Sequence, residues 1–232
     1  MVYSNGPSIV RDGLVLHLDA ADRNSYPRTG TTWNDLSGNG NNGTLVNSPV
    51  YTSSNRGLFS FGGSNESIDV PVSSSLQSQI FTFDIWFKLN SISAGGTSIF
   101  SGHYQHYGTI SGLTTFAYQG SYWFQTRLNN SCCQNLTVGT ASTGVWVNFS
   151  GTRSSSLKIA YLNGIQAGTQ STTGTHSQLN NFSIGNNADN IANNNYNGSI
   201  DGYIPMIKYY NRVLTSEEIL QNYNATKGRF GL

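Results

Sequence analysis

The chain has 232 residues, of which 10% are charged, 12% aromatic and 37% hydrophobic, and its formal net charge is +1. These values suit one well-buried domain and exclude wholesale disorder. They also exclude the clustered basic footprint of a nucleic-acid binder, and no apolar run approaches the roughly 18–20 residues that cross a bilayer.

The polar remainder is Asn, Ser, Thr and Gly, with 26 glycines. Such residues favour turns and strands over long helices, so an all-β protein is expected. The start, MVYSNGPSIVRDG, lacks the basic n-region and apolar h-region of a secretory signal, so release without a signal peptide is expected. Several Asn-x-Ser/Thr triplets, Asn42-Gly43-Thr44 among them, follow from the composition. The two cysteines, Cys132 and Cys133, are adjacent. A disulfide between neighbours strains the intervening peptide, so two reduced thiols are expected.

In chain order, residues 1–12 read as an N-terminal arm. Leu14–Asp19 alternates as a half-buried strand, with His17 expected to face solvent. Asp22–Thr44 reads as a loop, pinned to the core by Trp33 and Leu36. Short strands follow at Gly57–Gly63 and Ser67–Val70. Ile80–Leu89 is the strongest strand, with Phe81, Phe83, Ile85, Phe87 and Leu89 on one face and Thr82, Asp84, Trp86 and Lys88 on the other. Further strands are expected at Thr97–Ser101, Thr109–Tyr118, Tyr122–Leu128, Val145–Thr152 and Leu157–Leu162.

Asn163-Gly164 between two strands is a type I′ hairpin pair. Phe182-Ser183-Ile184-Gly185 opens another strand, and Ser199–Tyr210 is the last. One helix is expected over 215–224, because Thr215-Ser216-Glu217-Glu218 is a capping box ahead of Ile219, Leu220 and Tyr223. About a dozen short strands without a dividing linker predict a single domain over 1–232. Its expected fold is an all-β, two-sheet antiparallel sandwich with one short C-terminal helix.

Three segments in order carry a resemblance. They are GLVLHLDAAD leading into WNDLSGNGNNGTL, then FTFDIWFKL with SIFSG, then FSIGNN continuing to YNGSIDGYIPMIKYYNRVLTSEEILQNY. Together they resemble the laminin G-like and pentraxin-like branch of the concanavalin A-type jelly rolls. The N-terminal motif is similar to one found in structural proteins of bacterial viruses. The resemblance implies that the first and last strands pair, which brings the two termini together.

It also suggests three kinds of chemistry. Jelly-roll glucanases use two Glu on one strand face, with carboxyls about 5–5.5 Å apart for retention. This chain has only Glu66, Glu217 and Glu218, and none is spaced for that work, so no catalytic residue is assigned. Pentraxin-like relatives bind calcium from two loops. The matching places here are His103-Tyr104-Gln105-His106 and Asn186–Asn190, so the candidate calcium ligands are Asp189, Asn186, Asn187, Asn190 and Gln105. Calcium takes six to eight oxygens, whereas this set has one carboxylate, and histidines stand where the pentraxins have an Asp-Asn pair. Glycan recognition would draw on Tyr104, His103, His106 and Tyr196 in the same region, aromatic rings with a polar handle suiting wet interfaces.

Two functions are therefore expected. The first is a non-enzymatic structural or decoration protein on a capsid or tail surface, contacting other virion proteins or copies of itself, with adhesion to surface glycans as an additional role. The alternative is a free-standing lectin, with or without calcium. A glycoside hydrolase stands third. Nucleic-acid partners and membrane insertion are not expected.

Overall fold

The computed structural model describes residues 7–106, 109–128, 131–175, 179, 181–186 and 198–232, with the backbone alone described for 103–106, 109–111, 128 and 131–133. The first half contains β1 (Leu14–Asp19), β2 (Thr32–Trp33), β3 (Gly43–Val46), β4 (Val50–Thr52), β5 (Leu58–Gly62), β6 (Ser67–Pro71), β7 (Phe81–Leu89) and β8 (Thr97–His106). The second half contains β9 (Thr109–Tyr118), β10 (Ser121–Leu128), β11 (Ser131–Val138), β12 (Val147–Arg153), β13 (Leu157–Leu162), β14 (Ile165–Ser171), β15 (Asn181–Ile184) and β16 (Asp201–Tyr210). One α-helix, α1 (Ser216–Thr226), and a closing 3₁₀ turn (Lys227–Phe230) end the chain.

The strands form two antiparallel sheets. Sheet A runs β14-β13-β12-β7-β16-β5-β4, and sheet B runs β11-β10-β9-β8-β15-β6-β3-β2. The long strand β16 has two partners on one edge: Asp201–Ile204 pairs with β5, and Met206–Tyr210 pairs with β1. First and last strands thus pair as the resemblance implies. Val10 N–H donates to the Asn222 side chain at 2.9 Å, and the Gln221 amide donates to the Ser8 carbonyl at 2.7 Å, so the N-terminal arm lies along α1.

The core lies between the sheets. Phe81, Phe83, Ile85, Phe87 and Leu89 of β7 point into it and meet Phe100, Tyr122, Phe124 and Phe182 from sheet B. Burying each such ring is worth about 1.5–3 kcal/mol. Gly151 stands opposite Phe83, and a Cβ there would lie 2.3 Å from the ring, so only glycine lets the phenylalanine seat.

The other face of β7 is buried as well. Trp86 is covered by Phe230 and Tyr223, at ring-centre distances of 4.3 and 5.7 Å, and its indole N–H donates to Thr226 Oγ1 at 2.9 Å. Asp84 on the same face is fully buried and accepts from Lys208 Nζ at 2.7 Å, with Asn148 and Ser150 donating to its two oxygens. A buried pair is tolerated when its remaining lone pairs are satisfied in this way.

Several expected elements are corrected. The Asp22–Thr44 loop contains β2 and enters β3, because Thr32 and Trp33 pair with Thr44 and Gly43. Trp33 is fully buried, and Leu36 only half-buried. The strand expected to stop at Ser101 continues to His106, held by β9. The last strand begins at Asp201, and the helix reaches Thr226. Strand β11 has little hydrophobic alternation at its start (SCCQ), and it forms because β10 offers a free edge. His17 does not face open solvent: burial and the nearby Lys208 push its imidazole down to about 4. The Asn163-Gly164 turn is as expected, with φ of 52° and 78°.

Candidate functional site

The outer face of sheet A, next to the part covered by α1, carries a row of residues in cross-strand register. Val50 of β4 pairs with Ser60 of β5, Ser60 with Tyr203 of β16, and Tyr203 with Lys88 of β7. Trp146 continues the row, since Val147 beside it pairs with Phe87. These residues come from five separate stretches of chain, and only the sheet order makes them neighbours. A β-bulge in β16, between Tyr203 and Met206, bends the strand beside the row.

Lys88 Nζ lies 5.1 Å from the Trp146 ring centre and 4.9 Å from that of Tyr203, and the two ring centres are 6.4 Å apart, so its ammonium faces a pair of adjoining aromatic rings. Such contacts contribute about 0.5–2 kcal/mol and fix the donor in place. The rings are half-buried, and Phe230 supports Trp146 from beneath at 4.7 Å. Val50 is 64% exposed. Val50, Thr52, Ser54, Asn55, Leu58 and Ser60 join Lys88 and Tyr203 around a cleft of about 470 Å³. The cleft thus offers an apolar patch, an aromatic wall, hydroxyls, an amide and one fixed cation. That combination suits a ligand with alternating C–H faces and hydroxyl groups.

Across the segment 50–56 lies a second cleft of about 620 Å³, lined by Asp19, Asp22, Arg23, Arg28, Ser53 and Arg56 among others. Arg229 braces it from below, its guanidinium donating to Asp19 at 2.7 Å and to the Asn55 carbonyl at 2.6 Å. The two clefts share that segment as a common wall.

Asn186, from the expected calcium set, is buried, and its carbonyl accepts from Ser101 Oγ at 3.2 Å. Gln105 lies four residues further along β8, paired with Ile110, which is about 13 Å at ~3.3 Å per residue. The strand therefore does not bring these two together. Asn187, Asp189, Asn190 and Tyr196 lie outside the described residues. His103, Tyr104 and His106 belong to β8, paired with Gly112, Ser111 and Thr109, and so stand in a strand where a loop was expected. Among the described residues no three His, Cys, Asp or Glu side chains gather as a metal set.

The glutamates are engaged in local structure. Glu66 accepts from the Gly62 and Ser64 N–H groups, Glu217 from Ser216 Oγ, and Glu218 from the Thr215 N–H and the Arg212 guanidinium. The ledge residues Trp146 and Tyr203 were not singled out from sequence. Their signal is faint: each lies next to a strand residue that alternation assigns to the core, which places them on the opposite face.

Comparison with known proteins follows the fold. The family model described as the concanavalin A-like lectin/glucanases superfamily matches residues 61–220. No curated protein matches the chain. Among solved structures, the receptor-binding domain of botulinum neurotoxin C/D mosaic serotype has a TM-score of 0.73 at 16% identity, over 92% of this chain and 51% of that one. The binding domain of Paraclostridial Mosquitocidal Protein 1 has a TM-score of 0.70 at 15% identity, over 93% and 52%. Trypanosoma rangeli sialidase in complex with sialic acid has a TM-score of 0.71 at 14% identity, over 94% and 33%. This chain thus spans about half of the toxin structures and a third of the sialidase. At these identities the likeness is one of fold. With two thirds of its length matched by the family model, and with the sandwich that model describes, the chain belongs to the concanavalin A-like lectin/glucanase superfamily.

Proposed function

We propose that this chain is a non-enzymatic surface-recognition domain that binds glycan on the ledge of sheet A, displayed on a virion as a decoration or tail protein. The observation that carries the glycan reading is the cluster of Lys88 against the adjoining Trp146 and Tyr203 rings, beside a hydroxyl- and amide-lined cleft. Sugars offer a C–H face to aromatic and aliphatic side chains and hydroxyls to amides and ammonium groups. Two solved structures of like fold are described as binding domains and a third holds sialic acid, which agrees with a recognition role. The engagement of all three glutamates in turns and helix caps supports a non-catalytic reading. The virion setting rests on the N-terminal motif and on the low-charge, Asn-, Ser- and Thr-rich composition.

The test is a glycan-array screen of the purified chain, with calcium and again with chelator, alongside the Lys88→Ala and Tyr203→Ala variants. Hits that weaken at least tenfold, about 1.4 kcal/mol, in both variants support the ledge. Silence under both conditions removes the glycan reading, and hits unchanged in both variants move the site elsewhere. Mass spectrometry of purified particles tests the virion setting.

A further inference from the structure

Two cations are buried between the sheets with no carboxylate among the described residues to balance them. Arg153 of β12 and Lys158 of β13 are direct cross-strand partners, exposed by 1% and 0%. Like charges placed opposite each other in an antiparallel pair repel, and an uncompensated buried charge is costly. Backbone carbonyls supply part of the solvation. Lys158 Nζ donates to Gln134 O at 2.6 Å and to Phe124 O at 3.4 Å, while Arg153 donates to Gln79 O and, at 2.7 Å, to Gly174 O. Among the described residues, however, neither is joined to an acid: the ion pairs there engage Lys208, Arg212 and Arg229.

Those carbonyls leave other polar atoms of the region unsatisfied. Arg153 Nε, Thr126 Oγ1 and Tyr209 OH are buried without a hydrogen-bond partner. Each can donate a hydrogen bond. Arg153 and Lys158 are neighbours on sheet A, with Tyr209 acting on Arg153 electrostatically, and Thr126 of β10 in sheet B pairs with Gln134, whose carbonyl accepts from Lys158. The walls are aromatic: Phe81 stacks on Tyr209 at 5.4 Å, and Phe124 lies 5.0 Å from Lys158 Nζ. Buried polar groups in native proteins are nearly always satisfied, so a set of unpaired donors beside two positive charges asks for a species that only accepts.

We infer that this inter-sheet space binds a small monovalent anion of the halide class, held by Arg153 and Lys158 and capped by the Thr126 and Tyr209 hydroxyls. The anion would join sheet A to sheet B at the β12–β13 end of the sandwich. This site is independent of the outer ledge, which uses none of these residues.

The experiment is anomalous diffraction from crystals of the whole chain grown in bromide, paired with thermal unfolding at pH 6 in chloride or in gluconate at equal ionic strength. The expected result is a bromide peak within hydrogen-bond reach of Arg153 and Lys158. Chloride should also raise the wild-type melting temperature by about 2–4 °C. That rise should vanish in Lys158→Met and shrink at pH 9. The charged and titratable groups facing the anion are Arg153, Lys158 and Tyr209, and of these Lys158 loses its proton first on going to pH 9. A wild-type map with no peak there, or with a water in its place, overturns the inference. So does a chloride effect of equal size in Lys158→Met. If that variant does not fold, the wild-type bromide map decides by itself.

Discussion

Lys158 shows how strongly one position can be set by its surroundings. Burial, with Arg153 adding to it, lowers its ammonium to about 7. The unfolded chain keeps that proton up to the ordinary lysine range near 10.4. Between about pH 7 and 10 the unfolded state therefore binds more protons, and stability rises with pH across that window. Denaturant titrations at pH 7 and pH 9.5 should show this rise in the wild type and a smaller one in Lys158→Met. An equal slope in the two proteins would contradict the assignment. Gly164 is a second such position. Its φ of 78° and the Tyr223 side chain 3.0 Å from where a Cβ would sit leave no room for a branched residue. Gly164→Val should lower the melting temperature by several degrees, since a β-branched residue resists positive φ and the Tyr223 ring would have to move. Sequence exposed Gly164 through its Asn-Gly turn, but it did not expose Lys158, whose neighbours Ser156 and Leu157 gave no hint of a buried cation.

The helix is the element that changes the meaning of its neighbours. Its start was legible: Thr215 Oγ1 accepts from the Glu218 N–H at 3.3 Å, and Glu218 accepts from the Thr215 N–H at 3.0 Å. Thr215→Ala should cost about 1 kcal/mol, read as a fall of about 2–4 °C in melting temperature. No fall would mean that packing alone holds the helix. What α1 covers was not legible. Its residues Tyr223 and Thr226, with Phe230 beyond, roof Trp86 and turn the second face of β7 into a second buried layer. Alternation identifies a strand's two faces but cannot tell whether a distant helix will close the one that is not in the main core. The same limit hid the cover over His17 and its lowered imidazole.

Across the whole molecule, the two-sheet architecture follows from features written locally: low charge, period-two runs such as Phe81–Leu89, an Asn-Gly hairpin and one capping box. Their physical causes act within a few residues, through φ preferences, side-chain alternation and capping hydrogen bonds, so the sequence by itself determined the all-β class, the hairpin, the helix start and the core face of β7. Tertiary structure decided the order of strands. Only that order lines up Val50, Ser60, Tyr203, Lys88 and Trp146 as one ledge, and only it brings Arg153 and Lys158 of sheet A against Thr126 of sheet B. Pairings such as β1 with β16 join segments nearly 200 residues apart, and they are selected by the burial that the finished sandwich makes possible.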